Sequence, residues 1–175
     1  MATQRLLITG ITGFVGSHFA DYVLGLGAGY QVFGTRRWHR SSMHNVLHII
    51  DKVSWTDCDI TDPIAARNLI DEVRPDKIFH FAAESFVSPS WQHPSHYMNV
   101  NYNGTVNILD ALRLFGLPTR ILIPGSGEEY GLIEKDELPI TEQTIMRPVN
   151  PYAVSKISQD LIGYVYHKSY GTNVI

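Results

Sequence analysis

The stretch Arg5–Gly16, RLLITGITGFVG, decides the fold. Its first part, Arg5–Thr9, is a short apolar run typical of a buried strand, and a helical pattern follows the glycines. In a strand-to-helix turn of this kind, Gly10 permits the tight turn, Gly13 lets backbone N–H groups approach a pyrophosphate, and Gly16 allows close helix packing. The alternative is a purely structural turn. In this context the pattern predicts a dinucleotide site, formed by Gly10, Thr12, Gly13, Phe14, Val15 and Gly16.

Outward from this turn, strand-like apolar runs alternate with helical patterns. Strands are predicted at 5–9, 30–35, 53–56, 77–82, 120–123 and 173–175, and helices at 14–26, 41–50, 61–74, 95–115 and 151–170. This alternation predicts an α/β fold, a Rossmann-like doubly wound parallel sheet with helices on both faces and right-handed crossovers. A loop of roughly two dozen residues precedes the last helix, and loops of that length are usually functional.

The composition narrows the class of protein but assigns no activity. The 175 residues are 44% hydrophobic and 18% charged, with a net charge of −3 at pH 7, so no basic surface for nucleic acid or an anionic membrane is predicted. We find neither a signal peptide nor an apolar stretch long enough to span a bilayer. Cys58 is the single cysteine, which excludes an internal disulfide and a thiolate metal cluster. These features predict a cytoplasmic protein without a bound metal.

The residues after the second strand favour NADP over NAD. The stretch 34–40, GTRRWHR, has three arginines and no acid, and an arginine at this place accepts the 2′-phosphate of NADP where an acid would bind a ribose hydroxyl. We therefore assign Arg36 and Arg37 to the cofactor, although a solvated basic loop would have the same composition. Asp59 and Ile60 follow the third strand, near the expected adenine. Asp59 either accepts a hydrogen bond from the adenine amino group or caps the next helix.

A catalytic group is predicted from the fifth strand and the last helix. Tyr152 and Lys156 are four residues apart and share one helix face. A phenol with a pKa of about 10 is a poor base at neutral pH, and a neighbouring ammonium lowers that pKa. Lys156 can also hold the nicotinamide ribose. Ser126 lies just past the fifth strand, at the edge of the sheet where ligands bind, and can donate to the oxygen of a developing carbonyl.

The glycine motif at 9–16, the Ser126 segment and the Tyr152-x-x-x-Lys156 motif together resemble extended short-chain dehydrogenases/reductases that modify nucleotide sugars. The resemblance covers essentially the whole chain. It implies that Ala82 and Ala83 line the cofactor pocket with Tyr152 and Lys156. It also implies that the segment at 101–105 supports the active site. The substrate-binding residues that follow from it are Glu84, Ser85, Asn101 and Ser126.

The same resemblance implies a larger assembly than this chain. Members of the family carry a smaller C-terminal substrate domain, so we expect residues 1–175 to be the NAD(P)-binding domain of a longer two-domain enzyme. Members also commonly pair through the two long helices predicted near 95–115 and 151–170, which predicts a homodimer or homotetramer. We expect the isolated chain to bind NADP weakly or not at all and not to turn over a sugar.

Within the family, the chain is most similar to the enzymes of GDP-mannose, the 4,6-dehydratases and the GDP-4-keto-6-deoxymannose reductases. A dehydratase-like role makes Glu128 the base that removes the C5 proton after C4 is oxidised. Gly127 directly after the hydroxyl residue disfavours the dTDP-glucose branch, which typically has Asp there. Pro124 and Gly125 depart from the small hydroxyl residues usual before Ser126. The dehydratase is therefore our first hypothesis; reductase, 4-epimerase, a Glu128 without chemistry, and a non-catalytic dinucleotide-binding module are the alternatives.

Overall fold

The computed structural model describes residues 3–27, 29–38 and 40–175, so His39 of the basic stretch lies outside the described residues. Within them, a six-stranded sheet pairs entirely in parallel with the order β3-β2-β1-β4-β5-β6. The predicted doubly wound parallel sheet is confirmed. The strands are β1 (Gln4–Thr9), β2 (Tyr30–Arg36), β3 (Ser54–Asp57), β4 (Lys77–His80), β5 (Arg120–Leu122) and β6 (Asn173–Val174).

Helices cover the two faces of this sheet. They are α1 (Phe14–Gly25), α2 (Pro63–Val73), α3 (Val87–Ser90), α4 (Pro94–Tyr97), α5 (Gly104–Leu114) and α6 (Pro151–Tyr170). Among the described residues, 3-10 helices span His44–Lys52, Gly127–Tyr130 and Lys135–Glu137. No helix in the described ranges combines the length and the apolar character that a membrane span requires.

The apolar core is divided by the sheet into two layers. On one face, Leu7 and Ile78 pack with the inner sides of α2 and α5, represented by Ile70 and Ile108. On the other face, Ile8 belongs to a cluster with residues of α1 and of the 3-10 helix His44–Lys52. Adjacent residues of β1 therefore point to opposite layers, as the strand period of two requires. Because both faces are covered, the ends of the strands are the edges left for a ligand.

The N-termini of α2 and α6 are both capped by a side chain. Asp62 caps α2 by accepting from the N–H groups of Ile64 and Ala65, and Asn150 caps α6 by accepting from Ala153. Both helices begin with a proline, where a missing N–H costs little. Asp62 is thus the cap of α2, and the proposal that Asp59 fills that role is wrong.

Two helix predictions need correction. The segment predicted as a helix at 41–50 is a 3-10 helix at His44–Lys52, without a side-chain cap. The Ser41 hydroxyl accepts from the Arg37 N–H at 2.8 Å, so Ser41 belongs to the turn that precedes this 3-10 helix. The helix predicted at 95–115 is interrupted by a π-helical segment, Met98–Asn103, between α4 and α5.

Candidate active site

The glycine loop is packed directly against the backbone that follows β4. Gly10 has a φ of 67°, and a Cβ there would lie 2.7 Å from the Ala82 nitrogen. A Cβ on Gly16 would lie 2.4 Å from the Gly10 carbonyl oxygen. Both approaches are too close for any side chain, so the two glycines are required for the loop to close as it does.

An open cleft of about 530 Å³ begins at this loop and crosses the ends of β2 and β3 towards α4. Its lining includes every residue predicted from the glycine loop, the stretch after β2 and the stretches after β3 and β4: Gly10, Thr12, Gly13, Phe14, Val15, Gly16, Arg36, Arg37, Asp59, Ile60, Ala82, Ala83, Glu84 and Ser85. The sequence analysis missed further lining residues: Thr35, Arg40, Ser41, Cys58, Thr61, Phe81, His96, Asn99 and Val100. Of these, Arg40 could have been found from its place in the basic stretch.

The cleft fits a dinucleotide in size and in charge. Its volume is within the range of small-molecule sites. Helix α1 begins after Gly13 and has no acidic residue in its first turn. The positive end of the α1 dipole therefore faces the cleft, and the first turn of that helix carries no carboxylate of its own to compete with a pyrophosphate.

The basic residues at the far end of the cleft differ in their electrostatic partners. Arg36 forms an ion pair with Asp57 at 3.0 Å. Arg37 and Arg40 both line the cleft. Burial raises the pKa of Asp59, but hydrogen bonds from Thr61 and the charges of Arg37 and Arg40 outweigh it and lower that pKa overall. The charges of Arg37 and Arg40 therefore act on the Asp59 carboxyl at this end of the cleft.

Ser126 is held at the tip of β5 by a reciprocal pair of hydrogen bonds. It caps the 3-10 helix Gly127–Tyr130, where its Oγ accepts from the Glu128 N–H at 3.2 Å. Its own N–H donates to Oε1 of Glu129 at 2.8 Å. Burial raises the pKa of the Glu129 carboxyl, while the Ser126 N–H and the Lys156 charge oppose that rise. The two neighbouring carboxylates thus differ: Glu129 is buried beneath the loop, and Glu128 is exposed.

Helix α6 brings Lys156 to the backbone that follows β5 and Tyr152 to the end of α4. The Tyr152 ring lies edge-on to Tyr97, with 6.3 Å between ring centroids. Lys156 is only 5% exposed, and its Nζ donates to the Pro124 carbonyl at 2.6 Å and to Oε1 of Gln159. Burial lowers the pKa of Lys156 to about 8, although acidic neighbours oppose the shift.

The lining of the cleft does not include Ser126, Glu128, Tyr152 or Lys156. The Lys156 ammonium is engaged with Pro124 and Gln159, and contact of Tyr152 and Lys156 with a cofactor stays a prediction. A contact does join the Ser126 loop to α6. Oε2 of Glu128 accepts from Nδ2 of Asn150 at 2.7 Å, two residues before Tyr152.

A buried polar chain, which the sequence analysis missed, links Lys156 to the glycine loop. Thr105 donates to the Asn101 carbonyl at 2.7 Å and accepts from Gln159. Since its one proton is used, the 3.2 Å contact between Thr105 and Nε2 of His80 must be donated by His80. Nδ1 of His80 then accepts from Thr9, 2.9 Å away. His80 is thereby fixed as the neutral Nε2–H tautomer, and burial with the nearby Lys156 charge lowers its pKa to about 3.

Asn101 has a different place from the one predicted. It is fully buried; its Oδ1 accepts from the Glu84 N–H, and its Nδ2 donates to the Glu84 carbonyl and to Ser155. With its amide engaged at both ends, Asn101 cannot contact a substrate, and that prediction is corrected. It instead ties the loop after β4 to α6, which agrees with the supporting role that the resemblance implied for its segment.

No group of three or more potential metal ligands occurs in the part of the chain that the structure describes.

The fold, the glycine loop and the residues of α6 together define a dinucleotide-binding domain of the extended short-chain dehydrogenase/reductase class that modifies nucleotide sugars. The sequence model of GDP-mannose 4,6-dehydratase matches residues 7–175. The chain therefore belongs to the GDP-mannose 4,6-dehydratase family.

Individual relatives include both dehydratases and reductases. A GDP-mannose 4,6-dehydratase of Vibrio cholerae is 36% identical over 180 residues, covering 96% of this chain and 47% of that protein. A GDP-6-deoxy-D-mannose reductase of Pseudomonas aeruginosa is 32% identical over 158 residues, covering 90% of this chain and 45% of that protein. The chain thus spans about half the length of these curated relatives.

Solved structures agree with the fold. DesIV, a dTDP-glucose 4,6-dehydratase of Streptomyces venezuelae with NAD and TYD bound, superposes with a TM-score of 0.87 at 30% identity, covering 97% of this chain and 53% of that one. RMD of Pseudomonas aeruginosa, complexed with NADPH, superposes with a TM-score of 0.78 at 30% identity, covering 98% of this chain and 51% of that one. These neighbours support a nicotinamide dinucleotide as the cofactor.

Proposed function

We propose that this chain is the cofactor-binding domain of an NADP-dependent GDP-mannose 4,6-dehydratase, a cytoplasmic homo-oligomeric lyase that forms GDP-4-keto-6-deoxymannose. The observation that carries the proposal is the bridge from Glu128 to α6. Asn150 hydrogen-bonds the Glu128 carboxylate at 2.7 Å, and Tyr152 follows two residues later. A candidate base for C5 and a candidate base for the C4 hydroxyl therefore belong to one connected unit.

The choice of NADP is supported by the charge at the far end of the cleft. Arg36, Arg37 and Arg40 all line it. Arg36 already shares its charge with Asp57, so Arg37 and Arg40 are the stronger candidates for a 2′-phosphate. Related structures hold either NADPH or NAD; the arginines favour the former for this chain.

The proposed roles follow from what each side chain can do. The chemistry that a bound nicotinamide supplies is acceptance of a hydride from C4 of the sugar and its return at C6. Tyr152 takes the proton of the C4 hydroxyl, and Lys156 lies one turn further along the same helix face. Ser126 donates to the C4 oxygen as it becomes a carbonyl, which acidifies the hydrogen on C5. Glu128 removes that C5 proton, and the C6 hydroxyl leaves as water.

The second candidate function is reduction of GDP-4-keto-6-deoxymannose, supported by the Pseudomonas aeruginosa reductase among the relatives. A reductase needs Ser126, Tyr152 and Lys156 but has no C5 proton to remove. Glu128 is therefore the residue that separates the two reactions.

The test is incubation of the complete polypeptide with GDP-mannose and NADP⁺, with products identified by mass spectrometry and NMR. We expect a 4-keto-6-deoxy product without net cofactor consumption, and its loss in Glu128→Gln. Turnover only of the keto sugar with NADPH would favour the reductase. Failure to bind NADPH in a fluorescence titration would favour a non-catalytic module, and tighter binding of NADH than of NADPH would contradict the choice of cofactor.

A further inference from the structure

For Glu128 to act as a base towards one particular proton, a hydrogen-bond partner must hold its carboxylate in one orientation. It lies in the short 3-10 helix Gly127–Tyr130 and is exposed, and a free glutamate side chain loses substantial rotamer entropy when it is fixed. Its backbone N–H is held by Ser126, which places the Cα but not the carboxylate. The hydrogen bond from Asn150 is the contact that orients the carboxylate.

The orientation of Asn150 is itself determined by α6. Asn150 is 7% exposed, with an extended backbone in the N-cap position. Its Oδ1 accepts from the Ala153 N–H at 2.8 Å, and only the carbonyl end of an amide can accept. The NH₂ end must therefore face Glu128. One side chain caps the helix and directs the carboxylate at once.

We propose that Asn150 is a positioning residue that directs the free oxygen of Glu128 at the C5 hydrogen of the sugar; this rests on the proposed dehydratase function. Because Oε2 accepts from Asn150, Oε1 is the oxygen left to take the proton. A neutral amide orients a carboxylate without adding a positive charge that would weaken it as a base. Since Tyr152 is in the first turn of the same helix, Asn150 also fixes the place of Glu128 relative to the phenol.

The step assigned to Glu128 balances without a further reagent. The C5–H bond breaks, its proton moves to Oε1, and the electron pair forms a C5–C6 double bond as the C6–O bond breaks. The C6 hydroxyl takes up the proton that Tyr152 received from the C4 hydroxyl and leaves as water, which returns Tyr152 to its starting form. Hydride return to C6 is accompanied by proton addition at C5, and in D₂O that proton is replaced by deuterium from the exchangeable carboxyl.

The matched variants are Asn150→Ser and Asn150→Asp in the complete polypeptide. Both side chains retain an oxygen that caps α6, but neither offers the amide N–H to Glu128. The control is Asn68→Ser, the same exchange at an exposed asparagine of α2. Glu128→Gln reports on the base itself. With GDP-mannose and NADP⁺ in D₂O, stopped-flow absorbance gives C4 oxidation, and NMR of the product gives deuterium at C5.

We expect Asn150→Ser and Asn150→Asp to slow deuterium incorporation and keto-sugar formation at least about tenfold, which is the effect of losing one charge-assisted hydrogen bond. C4 oxidation should fall much less, and Asn68→Ser should match the parent protein. Equal losses in both steps with a lowered melting temperature would mean that Asn150 only caps the helix, and would overturn the inference.

Two other results separate this inference from the function on which it rests. Normal C5 exchange in Asn150→Ser together with loss of exchange in Glu128→Gln would overturn the positioning role and leave the dehydratase standing. Undiminished exchange in Glu128→Gln, or a parent protein that makes no keto sugar, would overturn the proposed function and the inference with it.

Discussion

The half of the sheet formed by β1–β3 and the half formed by β4–β6 contribute to the site by different physical means. In the first half the backbone makes the site, since Gly10 and Gly16 allow approaches that no side chain would permit. In the second half buried side chains make it, through the hydrogen bonds from His80 to Thr105 and from Gln159 to Thr105. The glycines are visible in a local sequence motif, whereas the buried hydrogen bonds depend on partners that are distant in sequence.

The largest effect is expected from placing a side chain in the backbone-made half. In Gly16→Ala the new Cβ would lie 2.4 Å from the Gly10 carbonyl oxygen, and such overpacking costs about 3 kcal/mol. In the complete polypeptide, we expect urea unfolding to show that loss of stability and NADPH binding to disappear. Gly25→Ala in the same helix meets nothing within 4 Å and should be neutral or slightly stabilising. Parent-like binding by Gly16→Ala would show that the loop does not need this glycine.

An intermediate effect is expected in the side-chain half, as a dependence of stability on pH. His80 has a pKa of about 3 when folded and 6.5 ordinarily. Between these values the unfolded chain binds the extra proton, so the stability contributed by neutral His80 is complete above pH 6.5 and is lost as the pH falls towards 3. The slope is at most about 1.4 kcal/mol per pH unit.

The substitution that tests this dependence is His80→Gln, followed by urea unfolding over a series of pH values. It should flatten the loss of stability below pH 6.5 and cost about 1–3 kcal/mol at neutral pH, because Thr9 loses its acceptor. His93→Gln, at an exposed position, is the control and should retain the parent slope. An unchanged slope in His80→Gln would mean that the buried histidine does not set the acid sensitivity.

The smallest effect is expected at the exposed end of the cofactor cleft. Asp57→Asn removes the partner of Arg36, whose ion pair is partly exposed and therefore worth at most about 1 kcal/mol. The freed guanidinium should tighten NADPH up to about fivefold at low salt, with the gain falling as salt rises. NADH, which lacks the phosphate, is the control ligand. An equal change for both cofactors would show that Arg36 does not contact the 2′-phosphate.

The difference between the halves also explains what could be predicted from the sequence. The hydrophobic period, the helix caps and the glycine spacing predict the sheet, α1, the whole of α6 and the glycines that line the cleft. Each of these signals lies within a few residues of the chain. The basic stretch after β2 was found for the same reason. The sequence could not show which arginine forms an ion pair, because the pair between Arg36 and Asp57 joins neighbouring strands.

The misses have a common physical cause. Asn101 was assigned to the substrate because its segment was recognised, but its amide is consumed by Glu84 and Ser155, far away in the chain. His80, Gln159 and Asn150 acquire their roles only when β4, α5 and α6 meet. No periodicity marks such residues, since a single polar side chain at a buried position looks the same in sequence whether or not it has a partner.

The π-helical segment Met98–Asn103 has a consequence for how this region can vary. A π turn contains an extra residue relative to an ordinary turn, so removing one residue there would restore α-helical geometry. Everything on the α4 side would then rotate by about 100° relative to α5. His96, which lines the cleft, would be carried away from it while Thr105 stayed in place. The number of residues in this segment is therefore constrained more tightly than their identity, and exchanges of side chain should be accepted where insertions and deletions are not.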